Sequence, residues 1–188
     1  PFIRSLEKLV DWLIKEKPGA KEAVADFERL EERFIIHPAL AIEQSRLTIN
    51  SMAHRSKDNL FAAMGLLRSY SDEGFNTVKE NENDVDGYED KIGTYLIKIT
   101  AQELTDRQSE DVSKYLHTLS DFERISDHAL NIAEVAQEIE QKKVVFSPAA
   151  KHELEVLTGA VTEVVTTAMQ AFIDNDVDLA YHVEPLEE

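Results

Sequence analysis

The sequence predicts an all-α fold, an antiparallel helical bundle, and three observations carry that expectation. The five prolines lie at positions 1, 18, 38, 148 and 185, and the stretch between Pro38 and Pro148 has none. Glycine is confined to positions 19, 65, 74, 87, 93 and 159, while Ala, Leu, Glu, Lys and Gln are abundant, a composition that favours long helices. Alternating β-branched runs bounded by turn residues, the mark of strands, do not appear.

The elements follow in order. A first amphipathic helix is predicted from about Phe2 to Glu16, with Phe2, Ile3, Leu6, Leu9, Val10, Leu13 and Ile14 as its apolar residues. Lys17-Pro18-Gly19 ends it. A connector with Phe27, Leu30 and Phe34 leads to His37-Pro38, where Pro38 suits a first helical turn. The second helix is predicted from about Ala39 to Tyr70, carrying Ile42, Ile49, Met52, Ala63 and Leu67. Asp72 is placed to cap a third helix, about Glu73 to Ala101. Its stripe Val78, Glu82, Val85, Glu89, Ile92, Leu96, Ile99 is a bundle seam in which two positions are carboxylates.

After the break at Thr105-Asp106, a fourth helix is predicted from about Glu110 to Gln141, with Val112, Tyr115, Leu116, Leu119, Phe122, Ala129, Leu130 and Ala133 on its apolar face. Ser147-Pro148 starts a fifth, with Leu157, Val161, Val164, Val165 and Ile173 along it, and Asn175-Asp176 opens a short sixth segment. Short turns between helices two, three and four suit an up-down three-helix unit, and the last two helices read as the opening of a second. The division is then residues 1–37, amphipathic helix and connector; 38–145, a first three-helix unit; and 146–188, the start of another, cut short. A chain that opens on Pro1 and closes on Glu188 without a helix-ending signal reads as a piece of a longer one.

Composition narrows the function classes. The 188 residues carry 37 acids against 20 bases, a formal charge of −17, which argues against DNA or RNA as a partner and leaves room for cations. No cysteine is present, excluding disulfides, thiolate metal sites and cysteine nucleophiles, and this is compatible with an intracellular setting. No apolar run approaches the roughly 20 residues that span a bilayer. No Gly-x-Ser-x-Gly, P-loop or Rossmann glycine pattern occurs, so an enzyme is not expected.

The acids are unevenly placed. Asp72, Glu73, Glu80, Glu82, Asp84, Asp86, Glu89 and Asp90 fall in one stretch with Lys79. Helical geometry directs Glu80 and Asp84 away from the Val78/Val85/Ile92 stripe, sets Glu82 and Glu89 on it, and sets Asp86 at its edge, one turn from Glu82. Helix four repeats the spacing with Glu123 and Asp127 beside its apolar face, and Glu134 continues the line. Antiparallel neighbours would point Glu82 and Asp86 at Glu123 and Asp127. Four carboxylates gathered in a bundle interior cannot all ionise unaided. They are protonated, or paired with Arg or Lys, or they hold a divalent or trivalent metal such as Mg, Mn, Fe or Zn. A partly solvated acidic groove accounts for the same spacing.

Two metal motifs fail on their own chemistry. Glu82-Asn83-Asp84-Val85-Asp86-Gly87 opens like an EF-hand, but its twelfth position is Gly93 rather than a bidentate Glu. No histidine is preceded three residues earlier by Glu, as a ferritin-like di-iron site requires. His128 follows Asp127 and is more readily a surface or packing residue than a group behind a ligand.

Asp121-Phe122-Glu123-Arg124-Ile125-Ser126-Asp127-His128-Ala129, continued by Asn131-Ile132-Ala133-Glu134, closely resembles the signature helix of the PhoU family. Phe122 stands where the family has leucine and Ser126 where it has glycine. Glu82-Asn83-Asp84-Val85-Asp86 resembles the family's first Glu/Asp-x-x-x-Asp motif. The connector Phe27 to Ile42 is similar to the linker before the bundle in sodium/phosphate cotransporters with a PhoU-like tail, and Pro1 to Glu16 looks like a segment leaving the bilayer.

The resemblance implies PhoU-like three-helix repeats and metal ligands at Glu82, Asp86, Glu123 and Asp127. It implies a non-enzymatic regulatory domain on the cytoplasmic face of the cell membrane, modulating phosphate uptake, with the transmembrane phosphate-transport domain of the same chain as partner. A free-standing PhoU-type regulator that binds a transporter or histidine kinase is the alternative. Leftover apolar faces leave room for a homodimer.

Overall fold

Helix boundaries in this chain are written by side chains that satisfy the orphan amides of a first turn. In the computed structural model, which describes residues 25–187, α1 spans Pro38–Leu66 and begins on Pro38, whose missing N–H costs nothing there. α2 spans Asp72–Thr100 and is capped by Ser71, whose Oγ accepts from the Gly74 amide at 3.0 Å. The cap is therefore Ser71 rather than Asp72, which lies inside the first turn, where its charge complements the helix dipole.

Gly74 is demanded by the same turn. A Cβ there would stand 2.7 Å from Leu66 Cδ2 and 2.9 Å from the capping Ser71 Oγ. The close return of the chain also ends α1 four residues earlier than its apolar pattern suggests. α3, Asp106–Gln141, begins four residues before the sequence expectation. The reason is a capping box: Gln108 N donates to Thr105 Oγ1 at 3.3 Å, and Thr105 N donates to Gln108 Oε1 at 3.0 Å.

α4, Pro148–Asp174, is capped by Ser147 and closes on Asn175 in the left-handed region at φ 53°. Two short helices follow, α5 at Val177–Ala180, capped by Asp176, and α6 at Glu184–Glu187. The amphipathic helix expected over Phe2 to Glu16 lies outside the described residues.

α1, α2 and α3 pack mutually into a three-helix bundle, and α4 lies against α1. Cross-helix contacts give the directions. Ser120 meets Glu89 and Asp127 meets Glu82, so α2 and α3 run antiparallel. Asn59 meets Ser126 and Tyr70 meets Gln137, so α1 and α3 run parallel.

The seam of α2 buries Val78, Val85, Ile92, Leu96 and Ile99, as its spacing predicts, and adds Tyr88 and Tyr95. All but Val78 meet Ile49, Met52, Val112, Leu119 and Phe122 in one apolar cluster. A smaller cluster of Leu60, Ala63, Met64, Val78, Ala129, Ala133 and Ala136 fills the end nearer the α1–α2 turn. Between the two lies a buried polar step in which Asn59 Nδ2 donates to Ser126 Oγ at 3.0 Å. Ser45, Thr48 and Ser56 lie buried on α1 and donate to the carbonyls of Ala41, Gln44 and Met52, which lets small polar residues serve as packing surface.

α4 is different. Val156 and Leu157 are 59% and 60% exposed, and its buried residues are Thr158, Met169 and Ala171. By length and composition it is apolar enough to cross a membrane, and little of it is buried. No uninterrupted run announces this, since Glu155 and Glu163 interrupt its Val, Ala and Thr.

Candidate metal centre

The carboxylates are positioned by α2 and α3 alone. On α2, Glu82 and Asp86 stand one turn apart, so their side chains share an edge of the helix. On α3, Asp127 follows buried Ser126 and precedes the pair Ala129 and Ala133, whose small side chains allow close packing. Antiparallel packing then brings ligand oxygens of Glu82, Asp86 and Asp127 all within 4.8 Å of one another.

Glu123, one turn before Asp127, falls outside that triad but remains within its field and in hydrogen-bonding contact with Asp127. Glu89 lies farther along α2 and accepts a hydrogen bond from Ser120 at 2.9 Å. Glu134 and His128 are exposed on α3 and have no place in the triad.

The four carboxylates do not occupy the bundle interior, as their place beside the apolar stripes suggests. Asp86 is exposed, and Glu82 and Glu123 are half-buried. Val78, Val85 and Ile92 take the interior positions of α2. The acids line an edge of the α2–α3 seam, open to water and to ions.

Electrostatics at this edge are strained. Partial burial pushes the Glu82 carboxyl up, the charges of Asp86 and Asp127 push it further, and Lys79 offsets this slightly. Asp86 is raised by burial and then by Asp127, Glu89 and Asp90. Glu123 is raised to about 7, by burial first and then by Asp127, Glu89 and Asp86, so it takes up a proton readily near neutrality. Like charges this close retain protons or attract a cation. Carboxylate oxygens as the whole donor set fit a hard or intermediate ion.

A buried aromatic network on the other side of α2 was not legible in the sequence. Asp26 is 6% exposed, with Oδ1 accepting from Arg29 at 2.6 Å and Oδ2 accepting from the Tyr88 hydroxyl at 2.6 Å. Burial first, and then the bond to Asp26, pushes the Tyr88 phenol far above its ordinary value, so Tyr88 is the donor. The alternation of Tyr88 and Tyr95 with Lys91 and Lys98 was the available signal.

Residues 49–136 match the PhoU domain family. That span contains Glu82, Asp86, Glu123 and Asp127. A 64-residue stretch of the chain is 38% identical to the protein named phosphate-specific transport system accessory protein PhoU homolog 1 of Thermotoga maritima, which amounts to 34% of this chain and 27% of that protein. No solved structure matches the chain at a significant level.

Proposed function

With a PhoU domain over residues 49–136 as the premise, we propose that this protein regulates phosphate transport, and that it does so as a cation-holding bundle rather than as an enzyme. The observation that carries this reading is the convergence of Glu82, Asp86 and Asp127 within 4.8 Å, from two helices and inside the matched span. Those three residues would hold the ion, with Glu123 as the carboxylate next to Asp127. A divalent or trivalent ion (Fe, Zn, Mn or Mg) would cancel the repulsion that raises Glu82, Asp86 and Glu123. It would also cross-link α2 to α3 and fix the surface they share.

The partner is the phosphate-transport machinery at the cytoplasmic face of the cell membrane. The free-standing regulator, in contact with a transporter or a histidine kinase, has the better support, because the similar Thermotoga maritima protein is named an accessory protein. A second reading, in which the same domain is fused to a sodium-dependent phosphate transporter, is favoured by the resemblance of Phe27 to Ile42 to the linker of such proteins.

Phosphate uptake by cells carrying the wild-type protein or the Glu82→Gln/Asp127→Asn variant tests the regulatory role. Loss of the response of uptake to external phosphate is the expected result. An unaltered response with the variant stably folded would overturn it.

A further inference from the structure

The face of α2 turned away from the carboxylates grips the segment that precedes α1. Tyr88, Lys91, Tyr95 and Lys98 recur by threes and fours, one stripe along the helix. Each touches the connector. Tyr88 donates to Asp26 Oδ2 at 2.6 Å, and Lys91 Nζ lies 3.7 Å above the Phe27 ring, which packs 4.7 Å from the Tyr88 ring. Tyr95 donates to the Glu31 carbonyl at 2.9 Å, and Lys98 pairs with Glu32. From α1, Thr48 Oγ1 adds a contact to the Asp26 carbonyl at 3.4 Å. Asp26 is buried with both carboxylate oxygens engaged, so lifting the connector would break its bond from the Tyr88 hydroxyl.

This stripe and the carboxylate groove belong to one continuous helix. Tyr88 follows Asp86 by two residues, about 200° around the helix axis at 3.6 residues per turn. A polar chain also joins them. Arg55 on α1 donates from Nε to the Tyr88 hydroxyl at 3.1 Å, and its NH1 lies 4.0 Å from Asp84, two residues from both Glu82 and Asp86.

We infer that residues 26–35 form a strap whose grip on α2 depends on the charge in the carboxylate groove. The inference rests on the cation-holding reading above for its physiological trigger. Negative charge left in the groove pushes α2 away from α3 along its Glu82–Glu89 edge. α2 moves as a rigid helix while Thr48 of α1 still holds the strap, so the same displacement slides Tyr88 and Tyr95 out of register with Asp26 and Glu31. A cation draws α2 onto α3 and seats the strap. By linkage, a seated strap raises cation affinity by the same factor.

Hydrogen exchange of the full chain tests this at the strap amides, where Arg29, Leu30, Phe34 and Ile35 donate to backbone carbonyls. Manganese(II) is expected to slow their exchange by about fivefold, the lower end of ordinary coupling. Glu82→Gln/Asp127→Asn, which removes charge without metal, is expected to slow it likewise. Tyr88→Phe keeps the ring and breaks the polar link, so strap exchange should become fast and indifferent to manganese, with affinity for the ion lowered by the same factor. Tyr95→Phe reads the same way if the Tyr88 variant does not fold.

Equal strap exchange in chelated wild type, manganese-treated wild type and the neutralised variant would overturn the coupling. Protection in the neutralised variant without any manganese binding to the wild type would uphold the strap and overturn the metal reading.

Discussion

Asp86 on α2 and Asp127 on α3 bring carboxylate oxygens within 4.8 Å of one another, and Glu82 shares that space. Neither helix can retreat at little cost. Val85 and Ile92 on α2 are fully buried against the cluster that holds Leu119 and Phe122 of α3. The repulsion is therefore built into a packed seam, and it is relieved by protons, by a cation, or by loosening the seam.

The proton route makes metal-free stability depend on pH. Glu123 is raised from an ordinary carboxyl value of 4.5 to about 7, so the folded state binds a proton more tightly than the unfolded state does. That contribution is fully present below about 4.5, the unfolded value, and is lost as pH rises through about 7. Melting in excess chelator should show a higher Tm at pH 5.5 than at pH 8. Glu123→Gln should flatten the dependence. A Tm that rises across this interval in the wild type would contradict the charge balance described.

The cation route predicts stabilisation by mass action. At a metal concentration a hundredfold above Kd, the gain is about 2.7 kcal/mol. Wild-type protein titrated with manganese(II) should show that rise in Tm, and Glu82→Gln/Asp127→Asn should show none, since two of the three ligand oxygens lose their charge.

Bundle stability itself rests on the seam. Leu96 is fully buried on α2, and Leu96→Ala should cost about 2–5 kcal/mol in denaturant unfolding. Leu157 on α4 is 60% exposed, and Leu157→Ser should stay within about 0.5 kcal/mol. Similar losses at the two positions would show that α4 is covered in solution.

Ser71→Ala removes the hydroxyl that accepts from Gly74 and should cost about 1 kcal/mol, with the loss seen as faster exchange of the first-turn amides of α2.

Much of this was legible because helices write themselves locally. Ser147-Pro148 marks the start of α4 as the structure has it, and the spacing Val78, Val85, Ile92, Leu96, Ile99 names the α2 core. The pairing of Glu82 and Asp86 with Asp127 follows from matched i, i+4 spacings on consecutive antiparallel helices. What escaped depends on contacts distant in sequence. Nothing near Asp26 indicates that Tyr88 will bury it, and nothing near Asn59 indicates that Ser126 will receive its amide. The early start of α3 escaped for a smaller reason: the Thr105/Gln108 capping box precedes the first apolar residue of the helix, Val112. Glu123 shows the limit of spacing as a guide. It shares a helix edge with Asp127, yet it stands outside the triad of closest oxygens.

The central claim is that Glu82, Asp86 and Asp127 hold a cation. Elemental analysis of the purified protein, with Glu82→Gln/Asp127→Asn prepared alongside and both shown to be folded, tests it most directly. Stoichiometric iron, zinc, manganese or magnesium in the wild type, lost in the variant, is the predicted result. Metal content equal in the two proteins, or absent from a wild type offered each of these ions, would contradict it.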